Sequence, residues 1–281
     1  MTKSTHIVFP ALLLTLASAQ LLAGDTTTVT FDNGSENWVG PAGPGGATTI
    51  EPTGGNPGAQ MRTVFNNFGI TFDNNSTAAF LGDYTQSDSI TISMDIQVDR
   101  VFFFSVDVSR PWLVELRDFD TATGGFPWTS VWFKFDEISQ ANNADWSTYS
   151  VTFDPNAAQL PAGWGGYGAE DPITFEPTLP DGVSFSDVLS GVDEIAFTTF
   201  EPGFFFGATD FEFGIDNLSI TRSTTSCAAD INGDGELNFF DVSAFLSAFA
   251  AMDLVADFTG DGQLNFFDVS AFLNAFSTGC P

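Results

Sequence analysis

Oxygen-bearing side chains recur at a fixed spacing near the C-terminal end of this 281-residue chain. Asp230-Ile-Asn-Gly-Asp-Gly-Glu-Leu-Asn-Phe-Phe-Asp241 returns 27 residues later as Asp257-Phe-Thr-Gly-Asp-Gly-Gln-Leu-Asn-Phe-Phe-Asp268. In each copy, donors stand at positions 1, 3, 5, 9 and 12, and the backbone carbonyl of position 7 is free to join them. Gly235 and Gly262 occupy position 6, where such a loop must turn with φ > 0. An all-oxygen, carboxylate-rich set suits a hard cation and is a poor match for zinc, iron or copper, which prefer imidazole or thiolate. The expected cofactor is therefore calcium, one ion per loop.

A doubled loop that ends in Asp rather than Glu, each copy running into one short helix with none in front, resembles a type I dockerin module. The match spans Asp230 to about Phe276. Carried over residue by residue, it implies that Asp230, Asn232, Asp234, the Glu236 carbonyl, Asn238 and Asp241 hold the first ion. Asp257, Thr259, Asp261, the Gln263 carbonyl, Asn265 and Asp268 would hold the second. Thr259 departs from the pattern by offering a hydroxyl at position 3, which predicts a weaker second site. Cellulosomal dockerins recognise a cohesin through small hydroxyl residues before the last ligand and basic residues on the following helix. Here those places hold Phe239-Phe240 and Phe266-Phe267, and the module has no Lys or Arg. The implied partner is an unidentified cohesin-like or surface receptor rather than a cellulosomal cohesin. Phe239 and Phe266 are the expected partner contacts, since Val242, Phe245 and Phe249 already supply a core stripe at i, i+3 and i+7, as do Val269, Phe272 and Phe276. The alternative is that the loops only fold a small terminal domain. Cys227 and the terminal Gly279-Cys280-Pro281 resemble the Cys-framed dockerin-like tails that some bacteria place on secreted proteins as surface or export anchors.

Cys227 and Cys280 are the only cysteines, and they bracket the repeat. In an oxidising compartment a disulfide between them is the economical reading; two free thiols, or covalent attachment through Cys280, are the alternatives. Export is itself predicted by the start of the chain: Lys3, an apolar run from Ile7 to Ala17, then Ala17-Ser18-Ala19 ahead of Gln20. Residues 1–19 read as a signal peptide, cleaved after Ala19 or, as second choice, Ala23. No other stretch is long and apolar enough to cross a membrane, so the mature chain is expected to be secreted or held at a cell surface without membrane insertion. With 36 acidic residues against 7 basic ones the formal charge is −29, which excludes nucleic acid and anionic membrane as partners.

Ahead of the module, residues 26–222 carry period-two patterning. Ile90, Ile92, Met94, Ile96 and Val98 alternate with polar residues, and similar runs lie at Thr27–Phe31, Val101–Val108, Trp112–Phe119, Ser130–Phe135, Thr148–Phe153, Val192–Phe200 and Phe211–Ile220. Turn-rich pieces separate them, notably 40–58 and 156–182. The pattern predicts a mainly β chain: an antiparallel β-sandwich over 26–222, a linker at 223–229 and a small helical calcium module over 227–281. The opening Phe31-Asp-Asn-Gly-Ser-Glu-Asn-Trp38, Ala79-Phe-Leu-Gly-Asp83 and the closing Gly214-Ile-Asp-Asn-Leu-Ser-Ile220 resemble jelly-rolls of the laminin B-like and carbohydrate-binding kinds. That likeness implies that the first and last strands pair. It also allows a structural calcium near Asp32, Asp216 and Asn217, against the plainer role of turn-capping side chains.

The single histidine, His6, leaves with the signal, which removes Ser-His-Asp, Cys-His and His-ligated metal catalysis from the mature chain. Most of the 32 phenylalanines read as core. Trp128, Trp132, Trp146, Trp164 and Tyr167 sit among loop-type residues instead, where an aromatic face could stack on a sugar ring. The expectation is a non-enzymatic glycan-binding or adhesion protein with a possible polysaccharide ligand. Its rival is a glycoside hydrolase or lyase that uses two carboxylates ~5–9 Å apart.

Overall fold

A computed structural model describes residues 23–224, 227–234 and 236–279. The predicted signal peptide and Cys280 lie outside the described residues. Residues 23–224 form one compact unit, and the described residues after 224 belong to another.

The larger unit is an antiparallel β-sandwich. Its first sheet contains β1 (Ala23–Val29), β2 (Gly46–Gly55), β3 (Gly58–Asn67), β5 (Ser89–Phe103), β6 (Val106–Asp107), β9 (Ser147–Phe153) and β14 (Thr209–Thr224). The second is ordered β10 (Trp164–Tyr167), β8 (Thr129–Ile138), β7 (Arg110–Asp118), β13 (Glu194–Thr198) and β4 (Thr71–Asn74). A two-stranded ribbon joins β11 (Ala169–Glu170) to β12 (Pro177–Thr178), and two short helices, α1 (Gln140–Asn143) and α2 (Phe185–Leu189), cap the connections.

The last strand organises the first sheet. One edge of β14 pairs with β3 over Thr209–Ile215 and then with the first strand, β1, over Leu218–Thr224; the other edge pairs with β5. Phe211, Phe213 and Ile215 point into the core, and so do Leu218 and Ile220, although the two sets differ in parity. A register shift between Asp216 and Ser219 reconciles them: Asn217 takes φ +50°, a left-handed conformation that asparagine tolerates, and the bulge turns the rest of the strand over. The even-numbered residues Ile90 to Val98 face inward as their alternation predicts. From the second sheet, Trp112 stacks on Phe197 and meets Phe72 and Phe213 edge-on, and its indole N–H points at the Met94 sulfur 3.3 Å away.

Three boundary expectations are corrected. Val101–Val108 is not one strand: the chain reverses at Phe104 and Ser105, both with positive φ, and returns as β6. The stretch 40–58, read as turns, contains β2, whose glycines and threonines disguise an edge strand. Likewise 156–182 contains β10, which runs along the edge of β8.

At the β14 bulge the acidic side chains hold backbone. Asp216 is fully buried and accepts from the Asn56 and Asn217 amides at 2.6 and 2.7 Å, while Asp95 accepts from the Asn56 and Asn217 side-chain amides. Asp32 accepts from the Ala59 amide and the Thr30 hydroxyl. Burial pushes the Asp216 carboxyl up to about 6; its two backbone donors oppose that, and Asp95 and Asp32 add to it.

In the second unit, α3 (Phe239–Ala251) and α4 (Phe266–Thr278) follow the two loops. Asn238 and Asn265, position 9 of each loop, are the helix N-caps, and Asp241 and Asp268, position 12, reach back to their amides. The spacing that suits an ion thus also writes a capping box. Phe245 and Phe272 stack at 4.1 Å with rings 1° from parallel, and Phe258 meets both edge-on. Val242, Phe249, Val269 and Phe276 pack around them, as does Cys227.

Candidate functional site

Strand β7 is buried along its whole length, on both faces. Trp112, Val114 and Leu116 enter the sandwich core; Leu113, Glu115 and Arg117 alternate onto the outer face of the second sheet. Register aligns Arg117 with Ser130 on β8 and Glu194 on β13, and aligns Glu115 with Trp132 and Ala196. The result is a charged row across the middle of the sheet, covered by the loop side chain of Trp128.

The row is closely bonded. Arg117 donates twice to Oε2 of Glu115, at 2.9 and 2.6 Å, and once to Oε1 of Glu194 at 2.5 Å. The other Glu115 oxygen accepts from the Trp128 indole at 3.0 Å and the Ser130 hydroxyl at 2.6 Å. Burial works against the Arg117 charge, but Glu115 and Glu194 outweigh it and raise its pKa. The guanidinium lies 4.2 Å from the Trp128 ring centroid, so one indole face is taken by a cation.

Above this row opens a groove of about 490 Å³. Trp128, Tyr167, Phe200 and Phe204 give it aromatic walls, with the Trp128 and Tyr167 ring centroids 6.0 Å apart, and Asp73 and Thr71 from β4 join Glu115 and Arg117 in its polar lining. Asp73 is half-buried. Burial and then Glu194 push its carboxyl above the ordinary range, with Arg117 opposing. The Tyr167 hydroxyl is likewise raised, by burial and then by Glu115 and Glu170. A concave surface with aromatic walls and a polar floor can stack the apolar faces of a ring and hydrogen-bond its hydroxyls.

Only two of the five aromatics expected to face a ligand line this groove: Trp128 and Tyr167. Trp132 lies on the same face of the sheet outside the groove, its indole flat on Gly165, where any side chain would come within 2.2 Å of the ring. Trp164 is a correction: it packs into the sandwich core against Phe153 and Phe185, because β10 is a strand and position 164 alternates inward. Trp146 lies over Gly214 of the first sheet. Asp73, Glu115, Arg117 and Glu194 were not foreseen. The signal was present in Trp112-Leu-Val-Glu-Leu-Arg117, where two opposite charges two residues apart interrupt an apolar run and must share one face.

In the C-terminal unit, each loop winds around its position-1 carboxylate. Asp230 Oδ1 accepts from the Gly233 and Asp234 amides, Asp257 Oδ1 from those of Gly260 and Asp261, and Gly262 turns with φ +77°. Asn232 and Asp234 side chains accept from the amides of Asp234 and Glu236, and Asp261 from that of Gln263. Asp241 and Asp268 are fully buried, and amides of Asn238 and Asn265 hold their carboxyls below the ordinary range. The Thr259 hydroxyl donates to Asp268 at 2.8 Å. Among the described residues no three His, Cys, Asp or Glu side chains gather closely enough to hold a metal as they stand. The fit to calcium rests on the donor chemistry: all oxygen, three aspartates per loop and a carbonyl at position 7. Gly235 lies outside the described residues. Phe239 and Phe266 stand 77% and 76% exposed, and their neighbours Phe240 and Phe267 are nearly as open.

Among the described residues no helix is long and apolar enough to cross a membrane. No family model and no curated protein matches the chain. Solved structures are similar at low identity. A family 11 carbohydrate-binding module from Clostridium thermocellum, in complex with a β-1,3-1,4-mixed-linked tetrasaccharide, is 14% identical over 69% of this chain and 94% of that one, with TM-score 0.41. An exo-β-agarase is 14% identical over 68% and 24%, with TM-score 0.39. The carbohydrate-binding and catalytic modules of a Clostridium thermocellum endo-1,4-β-D-xylanase, complexed with xylohexaose, are 12% identical over 70% of this chain, which spans 28% of that structure's length, with TM-score 0.41.

Proposed function

We propose that this chain is an exported, non-enzymatic protein whose sandwich binds a polysaccharide in the groove over Arg117. Its C-terminal unit is a calcium-loaded, dockerin-like anchor to a cell surface or extracellular assembly. The observation that carries the binding role is the pairing of aromatic walls, Trp128 and Tyr167, with a polar floor in one groove. Catalysis by a carboxylate pair is disfavoured by the same geometry. Both Glu115 oxygens are taken by four donors and Glu194 is ion-paired to Arg117, which leaves Asp73 without a free carboxylate partner.

The test is retention of the whole protein on a panel of insoluble polysaccharides, together with release of reducing sugar. Retention without release is expected. Trp128→Ala or Tyr167→Ala should weaken it by about tenfold or more, as removal of a buried aromatic anchor does. Sustained sugar release would establish the hydrolase or lyase reading instead.

For the anchor, calorimetric titration with calcium is expected to show two sites. Asp230→Ala and Asp257→Ala should each remove one, and the Thr259-containing loop should be the weaker. An unchanged stoichiometry in both variants would remove calcium from the account.

A further inference from the structure

Asp73 and Glu115 line the groove beside Arg117, and Glu194 is ion-paired to the same guanidinium, so three carboxylates stand against one cation and the floor is anionic. Glu201 on the rim is already matched by Lys134 at 3.2 Å. The three carboxylates are not equivalent. Glu115 and Glu194 are spent on Arg117 and its neighbours, whereas the Asp73 side chain makes no hydrogen bond or ion pair with the described residues. A half-buried carboxylate beside Glu194 with no donor of its own is unfavourable in the free protein, and its raised pKa reports that. A ligand that brings a positive charge would relieve it, and the open aromatic faces of Tyr167, Phe200 and Phe204 also favour a cation.

Building on the reading of the groove as a glycan site, we propose that it selects glycans carrying a protonated amino group, 2-amino-2-deoxyhexose units, with Asp73 as the specificity-determining residue that receives the ammonium. Acidic polysaccharides are repelled by the same floor. Neutral glycans stack on the same walls but leave Asp73 unanswered.

The experiment is calorimetric titration of the whole chain with four probes: a glucosamine hexamer, its N-acetylated counterpart, a glucose hexamer and oligolysine. In mildly acidic buffer, where the sugar amine is charged, the glucosamine hexamer should bind about tenfold more tightly than its acetylated counterpart. That ratio should fall to about one in alkaline buffer and in Asp73→Asn, a near-isosteric change at a side chain with no bonds to lose. Equal affinity for all three sugars would overturn the amino-sugar preference and leave glycan binding standing. Binding of no sugar would overturn both. Oligolysine binding that Asp73→Asn abolishes, with no sugar bound, would assign the groove to a basic peptide instead.

Discussion

Arg117→Ala is expected to destabilise the sandwich by about 3–5 kcal/mol, the cost of leaving buried charges without their partner. Glu115 and Glu194 are each more than 90% buried, and Arg117 is their only cationic contact among the described residues. Its removal strands both carboxylates under Trp128 and takes away the guanidinium packed on that indole. For a domain of this size, each kcal/mol shifts the melting temperature by ~2–4 °C, so a fall of roughly 6–20 °C should be seen. Arg117→Lys should recover little of it, because one ammonium cannot reproduce the two-oxygen bridge and the flat stack on Trp128. Making all three groups neutral together, Glu115→Gln, Arg117→Met and Glu194→Gln, should restore most of the loss, since the penalty comes from unpaired charge more than from the absence of an ion pair. An Arg117→Ala protein that melts like the parent would show that water already reaches these carboxylates.

The second large effect is expected at the Phe245–Phe272 stack. Phe245→Ala should remove about 3–5 kcal/mol from a unit whose fully buried apolar side chains, among the described residues, number only a handful, and a core that small has little stability in reserve. In calorimetry of the whole chain, the transition of the C-terminal unit should vanish while that of the sandwich stays. Phe239→Ser with Phe266→Ser is the contrasting case. Both rings are largely exposed, so melting should move by no more than about 0.5 kcal/mol, while retention on the cell surface is lost. A folded double variant that still stays on the cell would refute an anchoring role for this pair. Loss of folding in the same variant would show that the rings are structural.

The sequence by itself determined what depends on short-range periodicity and on chemical type. Alternation from Ile90 to Val98 decided which side chains enter the core, because a strand turns one residue in two to each face. The position-9 and position-12 residues of the two loops decided where α3 and α4 begin, because a capping box is a local device. The chain's one histidine, His6, means that any histidine chemistry would have to rest on that single residue. Edge strands built from glycine and threonine, such as β2, escaped because their pairing comes from a partner far along the chain and not from their own propensity. The groove was decided only by the tertiary structure. Thr71 and Asp73 on β4, Glu115 and Arg117 on β7, the Trp128 loop, Tyr167 on β10 and Phe204 after β13 are up to 133 positions apart, and no spacing in the sequence encodes their meeting. Sheet register brings them together, and register is fixed by long-range hydrogen bonding and by the core on the opposite face of the same strands. The same reason removed Trp164 from the ligand-facing set: its residue type suggested a binding aromatic, and the strand on which it stands turned it inward.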